Sequence, residues 1–225
     1  MTPPSLHGLA DWLRAEFGER EPLKRGGPPQ VQRLALALEP ADLPPEVDAD
    51  ALFVHRSLRV GERWPGLGLL GVHDGFDLAL TTGPNVRLAR ALGWRDVREV
   101  VWKEELKGIT AMPPQDSWAG LRAALHAALG GEDSSWPPAP GPEPLRLALM
   151  NAMNPGLIEH VAAGGVRVYL TGQLRPSASA AAQAHGLGVI ALGHRRTEAW
   201  GLRQLAAELR AAFPGLHTEV YGSEG

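Results

Sequence analysis

The last third of the sequence alternates apolar strand segments with helical segments, and this regularity constrains the fold more than any other feature. From residue 145 onward, LRLALM, VRVYLTG and GVIALGH are apolar runs of strand length, and they are separated by PGLIEHVAAGG and SASAAAQAHG. A final segment places Leu202, Leu205, Leu209 and Phe213 at helical spacing. Strands that alternate with helices of this length are typical of βαβ units on a predominantly parallel sheet.

The first part of the chain shows a less regular series of elements. Apolar residues at helical spacing predict a first helix over Leu6–Phe17, and VQRLALAL predicts a strand over Val31–Leu38. Two short apolar strands, Ala51–Val54 and Leu67–Val72, then end at a histidine each. The other predicted elements are a helix after Pro84, a strand over Arg98–Lys103, its hairpin partner over Gly108–Met112 and a helix over Trp118–Leu129.

The longest run of turn residues, GGEDSSWPPAPGPEP, separates these two regions. We therefore predict an α/β fold with two related halves, each a βαβ-type sheet with flanking helices. The first half covers residues 1–129, the linker covers 130–143 and the second half covers 144–225. The candidate site is expected where the two halves meet.

Composition excludes several classes of protein. No apolar run approaches the roughly 20 residues that span a bilayer, and the first residues lack the pattern of a secretory signal, so we expect a cytoplasmic protein. A formal net charge of −3 with interspersed signs gives no broad basic face for nucleic acid. Because the chain has no cysteine, any bound metal must rely on His, Asp and Glu. A P-loop, a dinucleotide glycine motif and a G-x-S-x-G elbow are all missing from the sequence.

Candidate metal ligands follow strands in both regions. In GHRRTE, His194 leaves a strand and Glu198 follows four positions later, a spacing that places both on one side of a helix start. His55 also lies at the end of a strand, where ligands bind in open α/β sheets, and Asp77 lies in HDGFD. Two imidazoles and two carboxylates suit zinc, iron or manganese. The alternative is that these are capped or surface residues, and we interpret His73 and Asp74 as an ordinary polar break after a strand.

The sequence resembles the NIF-three-like family, whose members are often labelled GTP cyclohydrolase type-two homologues. The stretch VYLTGQ, followed by HGLGVIALGHRRTEAWGLRQLAAEL, resembles the family's T-G-E and G-H-x-x-T-E motifs, and LFVHRSL resembles its strand ending in a His-His pair. The resemblance implies a pair of metal ions between two halves, with His55, Asp77, His194 and Glu198 at ligand positions. It also implies a homo-oligomer, a hexameric ring in many members.

Two departures from the family pattern bear on the metal count. Arg56 stands at the second histidine of the pair, and a guanidinium cannot ligate a metal. Gln173 stands where the family usually has a Glu. We expect one or two divalent ions, or none, because Arg56, Arg195 and Arg196 could together make a cationic pocket that binds an anion. The other interpretation of these arginines is that they are solvated surface charges.

Three functions remain open from the sequence. The first is a metal-dependent hydrolase that acts on a nucleotide-like or other small substrate, with Glu198 bridging ions or orienting the reactants. The second is a non-catalytic protein that stores, delivers or senses metal, or serves as a scaffold. The third is a degenerate paralogue whose cationic pocket binds an anion.

Overall fold

The fold is α/β, as predicted, with eleven strands and seven helices in the part of the chain that the structure describes. We used a computed structural model, which describes residues 2–141 and 145–222. The helices are α1 (Leu6–Phe17), α2 (Asp74–Leu80), α3 (Val86–Ala91), α4 (Trp118–Leu129), α5 (Pro155–Ala163), α6 (Pro176–Ala184) and α7 (His194–Ala212). The strands are β1 (Leu23–Arg25), β2 (Arg33–Ala37), β3 (Ala51–Val54), β4 (Gly68–Leu70), β5 (Arg95–Trp102), β6 (Glu105–Met112), β7 (Ser134–Trp136), β8 (Leu147–Met150), β9 (Val168–Thr171), β10 (Gly188–Ala191) and β11 (His217–Val220).

The first compact unit combines both ends of the chain, Met1–Asp77 and Glu198–Gly225. Its sheet has the strand order β1-β4-β3-β2-β11, in which β11, β2, β3 and β4 are parallel and β1 is antiparallel. All four residues of β3 are buried, as expected for a strand covered on both faces of a parallel sheet. Parallel pairing aligns the carboxyl ends of β2, β3 and β4 along one edge, and the residues after those ends build the candidate site.

The second compact unit, Leu78–Thr197, contains a six-stranded sheet in the order β5-β6-β8-β9-β10-β7. Strands β8, β9 and β10 are parallel, which confirms the βαβ prediction for this region. The hairpin of β5 and β6 extends one side of the sheet through antiparallel pairing of β6 with β8. Side chains from α5, α6 and the central strands form its buried core, which includes Tyr169 and Leu157.

The compact units divide the chain differently from the predicted halves 1–129 and 144–225. The predicted linker, 130–143, contains β7, which pairs with β10, and Trp136 donates from Nε1 to the Leu187 carbonyl at 3.0 Å. Strand β11, in the predicted second half, pairs with β2 in the first unit. Both strands are short and only partly buried, so neither has the apolar periodicity that predicts a strand from sequence. Residues 142–144 of the linker region lie outside the described residues.

Two further local predictions differ from the structure. HDGFD was expected to be a break between elements, yet Asp74–Leu80 forms α2. Pro84 was expected in the first turn of the next helix, yet α3 begins at Val86, because the Asn85 side chain accepts a hydrogen bond from Leu88 N and caps it. None of the described helices is long and apolar enough to cross a membrane.

A buried carboxylate in the second unit joins α4 to the segment before β7. The Glu132 side chain is 8% exposed and accepts a hydrogen bond from Arg122 Nε at 3.0 Å. Ser135 Oγ also donates to it, and His126 Nε2 lies 2.9 Å away. Burial alone would raise the pKa of Glu132, but Arg122, Ser135 and His126 together lower it to about 2.

This lowered pKa predicts a pH-dependent contribution to stability. The contribution is complete above the unfolded pKa of about 4.5, and it is lost as the pH falls toward the folded value. Between pH 7 and pH 3, the free energy of unfolding of the wild type should fall by about 1 to 2 kcal/mol more than that of Glu132→Gln. Urea denaturation at both pH values measures this difference. Glu105→Gln, at an exposed ion pair with Lys107, is the matched control, and an equal fall in wild type and Glu132→Gln would contradict the prediction.

Candidate metal centre

The site begins with His55, the residue after β3, whose imidazole is buried at 1% exposure. Its backbone N–H donates to the Ala37 carbonyl at 3.0 Å and so continues the pairing of β3 with β2. Its Nδ1 lies 3.0 Å from the carbonyl oxygen of Val72. Because a carbonyl only accepts, Nδ1 must carry the proton, and in the neutral ring the lone pair is on Nε2. Nε2 forms no hydrogen bond with any described residue.

The α2 helix brings two further ligand groups to His55. The Asp77 N–H donates to the His73 carbonyl at 2.9 Å, so one helical turn places both side chains on the same face. The His73 ring stacks on the His55 ring, with centroids 4.5 Å apart and planes 9° apart. His55, His73 and Asp77 each offer one ligand atom, and these atoms lie within 4.8 Å of one another. The sequence was interpreted as an ordinary polar break at His73, and the structure adds that its side chain lies in a group that could hold a metal ion.

Close packing at Gly75 fixes α2 in this position. A Cβ at Gly75 would lie 2.0 Å from the backbone oxygen of Phe17, the last residue of α1. A real Cβ atom cannot approach that closely, so α2 can start here only because residue 75 is glycine. A glycine in a first turn also weakens the helix signal in the sequence, which explains why the pattern indicated a break.

Two carboxylates lie close to the buried imidazole of His55. Its Nε2 lies 3.3 Å from Asp77 Oδ1 and 3.5 Å from Glu198 Oε1. Burial alone would lower the pKa of His55, but the Asp77 and Glu198 carboxylates and the Val72 carbonyl raise it to about 9. A proton is therefore held where two carboxylates and an imidazole nitrogen converge, and a divalent cation has the same electrostatic preference.

Arg56, the next residue after His55, binds Glu198 instead of pointing into solvent. Its Nη2 donates to Glu198 Oε1 at 2.7 Å and its Nη1 lies 3.4 Å from Oε2. Nη1 also lies 3.1 Å from Glu39 Oε1, and Arg59 donates to the same Glu39 carboxylate at 3.0 Å. Glu39 follows the end of β2, and sequence analysis missed it, although its place at the carboxyl edge of a parallel strand is a usable signal.

Two of the three arginines that were expected to form a cationic pocket are paired with carboxylates. Arg56 is neutralised by Glu198 and Glu39, and Arg196 pairs with Asp133. Around His55, the carboxylates of Glu39, Asp77 and Glu198 accompany the guanidinium groups of Arg56 and Arg59. With Asp74 beside His73, carboxylates outnumber guanidinium groups there, which favours a bound cation over a bound anion.

The sequence-predicted residues fall into both compact units. His55, Asp77 and Glu198 belong to the first unit. There, the carboxylates of Asp77 and Glu198 lie close to His55 Nε2. His194 and Arg195 belong to the second unit, where both are exposed in the first turn of α7. The role of His194 as a ligand stays a prediction.

A cavity of about 460 Å³ opens beside the metal centre within the first unit. The two histidines and Asp74 form part of its lining, and Lys24, Arg56 and Arg59 contribute cationic groups. A volume of this size accommodates a small molecule.

Comparison with known proteins places the chain in a family. A sequence profile of Duf34/NIF3 (NGG1p interacting factor 3) matches residues 65–224, which is more than half of the chain. The chain belongs to the Duf34/NIF3 family. Two curated relatives of this Duf34/NIF3 member are both named GTP cyclohydrolase 1 type 2 homolog. The one from Pseudomonas aeruginosa is 29% identical over 83% of this chain and 82% of its own length. The one from Deinococcus radiodurans is 27% identical over 83% of this chain and 79% of its own length.

A solved structure supports the fold of this Duf34/NIF3 member. Reduced HcgD from Methanocaldococcus jannaschii matches it with a TM-score of 0.73 over 97% of this chain and 98% of that one, at 17% identity. At that identity the similarity concerns the fold alone.

Because the position of α2 depends on the contact at Gly75, Gly75→Ala should weaken metal binding although it replaces none of the proposed ligands. The added methyl must push α2 away from α1, which costs about 1 to 3 kcal/mol of unfolding free energy and moves His73 and Asp77 from His55. We expect a lower melting temperature together with weaker binding of Mn²⁺ by calorimetry. Gly26→Ala is the control, since a Cβ there meets nothing within 4 Å. Unchanged binding in Gly75→Ala would show that α2 tolerates the displacement.

Proposed function

We propose that this protein binds a divalent metal ion through His55, His73 and Asp77. The observation that carries the proposal is the Nε2 atom of His55, which is buried, has no hydrogen bond within the described residues and lies 3.3 Å from Asp77 Oδ1. The Nδ1 hydrogen bond to Val72 supports it further, because metal-binding histidines usually donate their other ring N–H to a fixed acceptor. His194 and Glu198 are further proposed ligands, and zinc, iron or manganese suits this nitrogen and oxygen set.

We further propose that the bound ion serves a hydrolytic reaction on a small substrate. Three protein ligands leave coordination positions open, and an ion of this kind lowers the pKa of bound water to about 7. The adjoining cavity offers space for a small substrate, and the cationic side chains in its lining, those of Lys24, Arg56 and Arg59, are each paired with a carboxylate. The name of the curated relatives motivates a nucleotide as the first substrate class to test.

In this proposal, Glu198 orients the reactants and does not remove a proton. Its carboxylate is 2% exposed and accepts from Arg56 through a forked contact. A carboxylate that is paired with a guanidinium is a weak base, because the positive charge stabilises its ionised form. It can still hold a water or a substrate hydroxyl near the ion through its remaining lone pairs.

A non-catalytic metal-binding protein is the second candidate. The observation in its favour is the same Arg56–Glu198 ion pair, which occupies a carboxylate that a hydrolase could use at the reacting centre. Storage or sensing of a metal needs only the ligands, whereas catalysis needs a defined geometry around an open position. A homo-oligomer, hexameric by resemblance, and a cytoplasmic location stay predictions, and light scattering tests the first.

Metal analysis of purified, untagged protein tests the binding proposal. After exchange into chelator-free buffer, inductively coupled plasma mass spectrometry should find about one ion per chain. A second ion is not expected, because the Glu198 carboxylate is already paired with Arg56. His55→Ala should lose this ion, since it removes the buried nitrogen donor. His185→Ala, which removes an exposed histidine of the second unit, is the control and should retain the ion. A wild type that holds metal, with the same content in His55→Ala, would overturn the proposed site.

Turnover assays separate the two candidate functions. A hydrolase should convert a substrate from a panel that starts with GTP and other nucleotides, should lose activity on metal removal, and should regain it when the ion is returned. Glu198→Gln should reduce kcat by about 10²-fold or more if this carboxylate orients the reacting groups, with Glu105→Gln unchanged. A protein that holds the ion but converts nothing on the panel supports the non-catalytic candidate.

A further inference from the structure

One oxygen of Glu198 faces both a fixed cation and the candidate metal ligands. Oε1 accepts from Arg56 Nη2 at 2.7 Å and lies 3.5 Å from His55 Nε2. The side chains of Glu198 and His55 are almost completely buried, and that of Arg56 is 19% exposed. A divalent ion at His55 would therefore lie close to an oxygen whose charge is already shared with a guanidinium.

Arg56 is held in place from its other side. Its Nη1 contacts Glu39, and the Glu39 carboxylate also accepts from the Asp42 backbone N–H while the Asp42 side chain accepts from Glu39 N. Glu39 is thus fixed to the 3₁₀ turn at Pro40–Asp42 and cannot readily follow a moving guanidinium. Displacing Arg56 from Glu198 would require the loss of a short, partly buried ion pair with a rigid support.

We infer that Arg56 is a built-in counter-cation that competes with the divalent ion for Glu198 and thereby weakens metal binding. The inference rests on the metal site proposed above. With Arg56 in place, Glu198 contributes less negative charge to the ion, and the positive guanidinium repels it. The site then holds its metal reversibly, in equilibrium with the surrounding metal concentration, and is suited to exchange.

Removal of Arg56 should produce two effects of opposite sign. In the metal-free protein, Arg56→Gln leaves a buried carboxylate without its strongest cation, so the melting temperature should fall. In the presence of metal, the same carboxylate is available to the ion, so the affinity should rise. An arginine with a merely structural role would give the first effect without the second.

Calorimetric titration with Mn²⁺ tests the inference, with thermal unfolding measured in parallel with and without the ion. Arg56→Gln should bind Mn²⁺ at least ten-fold more tightly than wild type and should show a larger stabilisation by the ion. Arg59→Gln is the matched control, because Arg59 forms its ion pair with the same Glu39 carboxylate that Arg56 contacts. It should leave the affinity within about two-fold of wild type.

The remaining outcomes distinguish failure of this inference from failure of the proposed site. If wild type binds Mn²⁺ and a folded Arg56→Gln binds it no more tightly, the inference is overturned and the metal site stands. If wild type does not bind Mn²⁺ and Arg56→Gln does, the inference holds, and Arg56 prevents metal binding in the wild type. If neither protein binds Mn²⁺, both the inference and the proposed metal site are wrong. Should Arg56→Gln fail to fold, Arg56→Lys keeps the charge but cannot fork onto both carboxylate oxygens, and its affinity should lie above that of wild type.

Discussion

The hydrogen bond between His55 Nδ1 and the Val72 carbonyl is the interaction on which the arrangement around His55 depends. It joins the residues that follow two adjacent parallel strands, β3 and β4, and it fixes both the tautomer and the orientation of the imidazole. Without it, the buried ring could rotate and turn Nε2 away from the carboxylates of Asp77 and Glu198. The neighbouring groups are arranged around this one fixed atom, Nε2, from α2 on one side and from α7 on the other.

Much of this arrangement could be predicted from sequence because parallel strands have a simple rule. Apolar runs at Ala51–Val54 and near Leu69 indicated two strands, and polar residues directly after them had to meet at one edge. The same rule identified His55, the polar stretch HDGFD and the family resemblance indicated Asp77, and the helical spacing of GHRRTE predicted a helix that carries Glu198. His73 was available to the same reasoning but was set aside, because a polar residue after a strand is usually only a turn residue.

Other parts of the fold could not be predicted because they depend on contacts between distant segments. The contact of Gly75 with Phe17 decides where α2 begins, and no local pattern contains it. Strands β7 and β11 are too short for periodicity, and each exists because a longer strand offers an unpaired edge. The partner of Arg56 was equally hidden, since Glu198 follows it by well over half of the chain. A sequence shows where an arginine lies along the chain, but it does not show which carboxylate that arginine neutralises.

The pairing of β11 with β2 joins the two ends of the chain in one sheet, with Thr218 opposite Leu34. During synthesis on a ribosome, β2 therefore has an unpaired edge while the second unit, residues 78–197, is translated. Glu198 is also translated after the second unit, so the carboxylates around His55 and their partner Arg56 come together only after residues 78–197 have been made. A chain truncated before β11 would expose an uncovered, strand-forming edge of β2, which is the kind of surface that chaperones recognise.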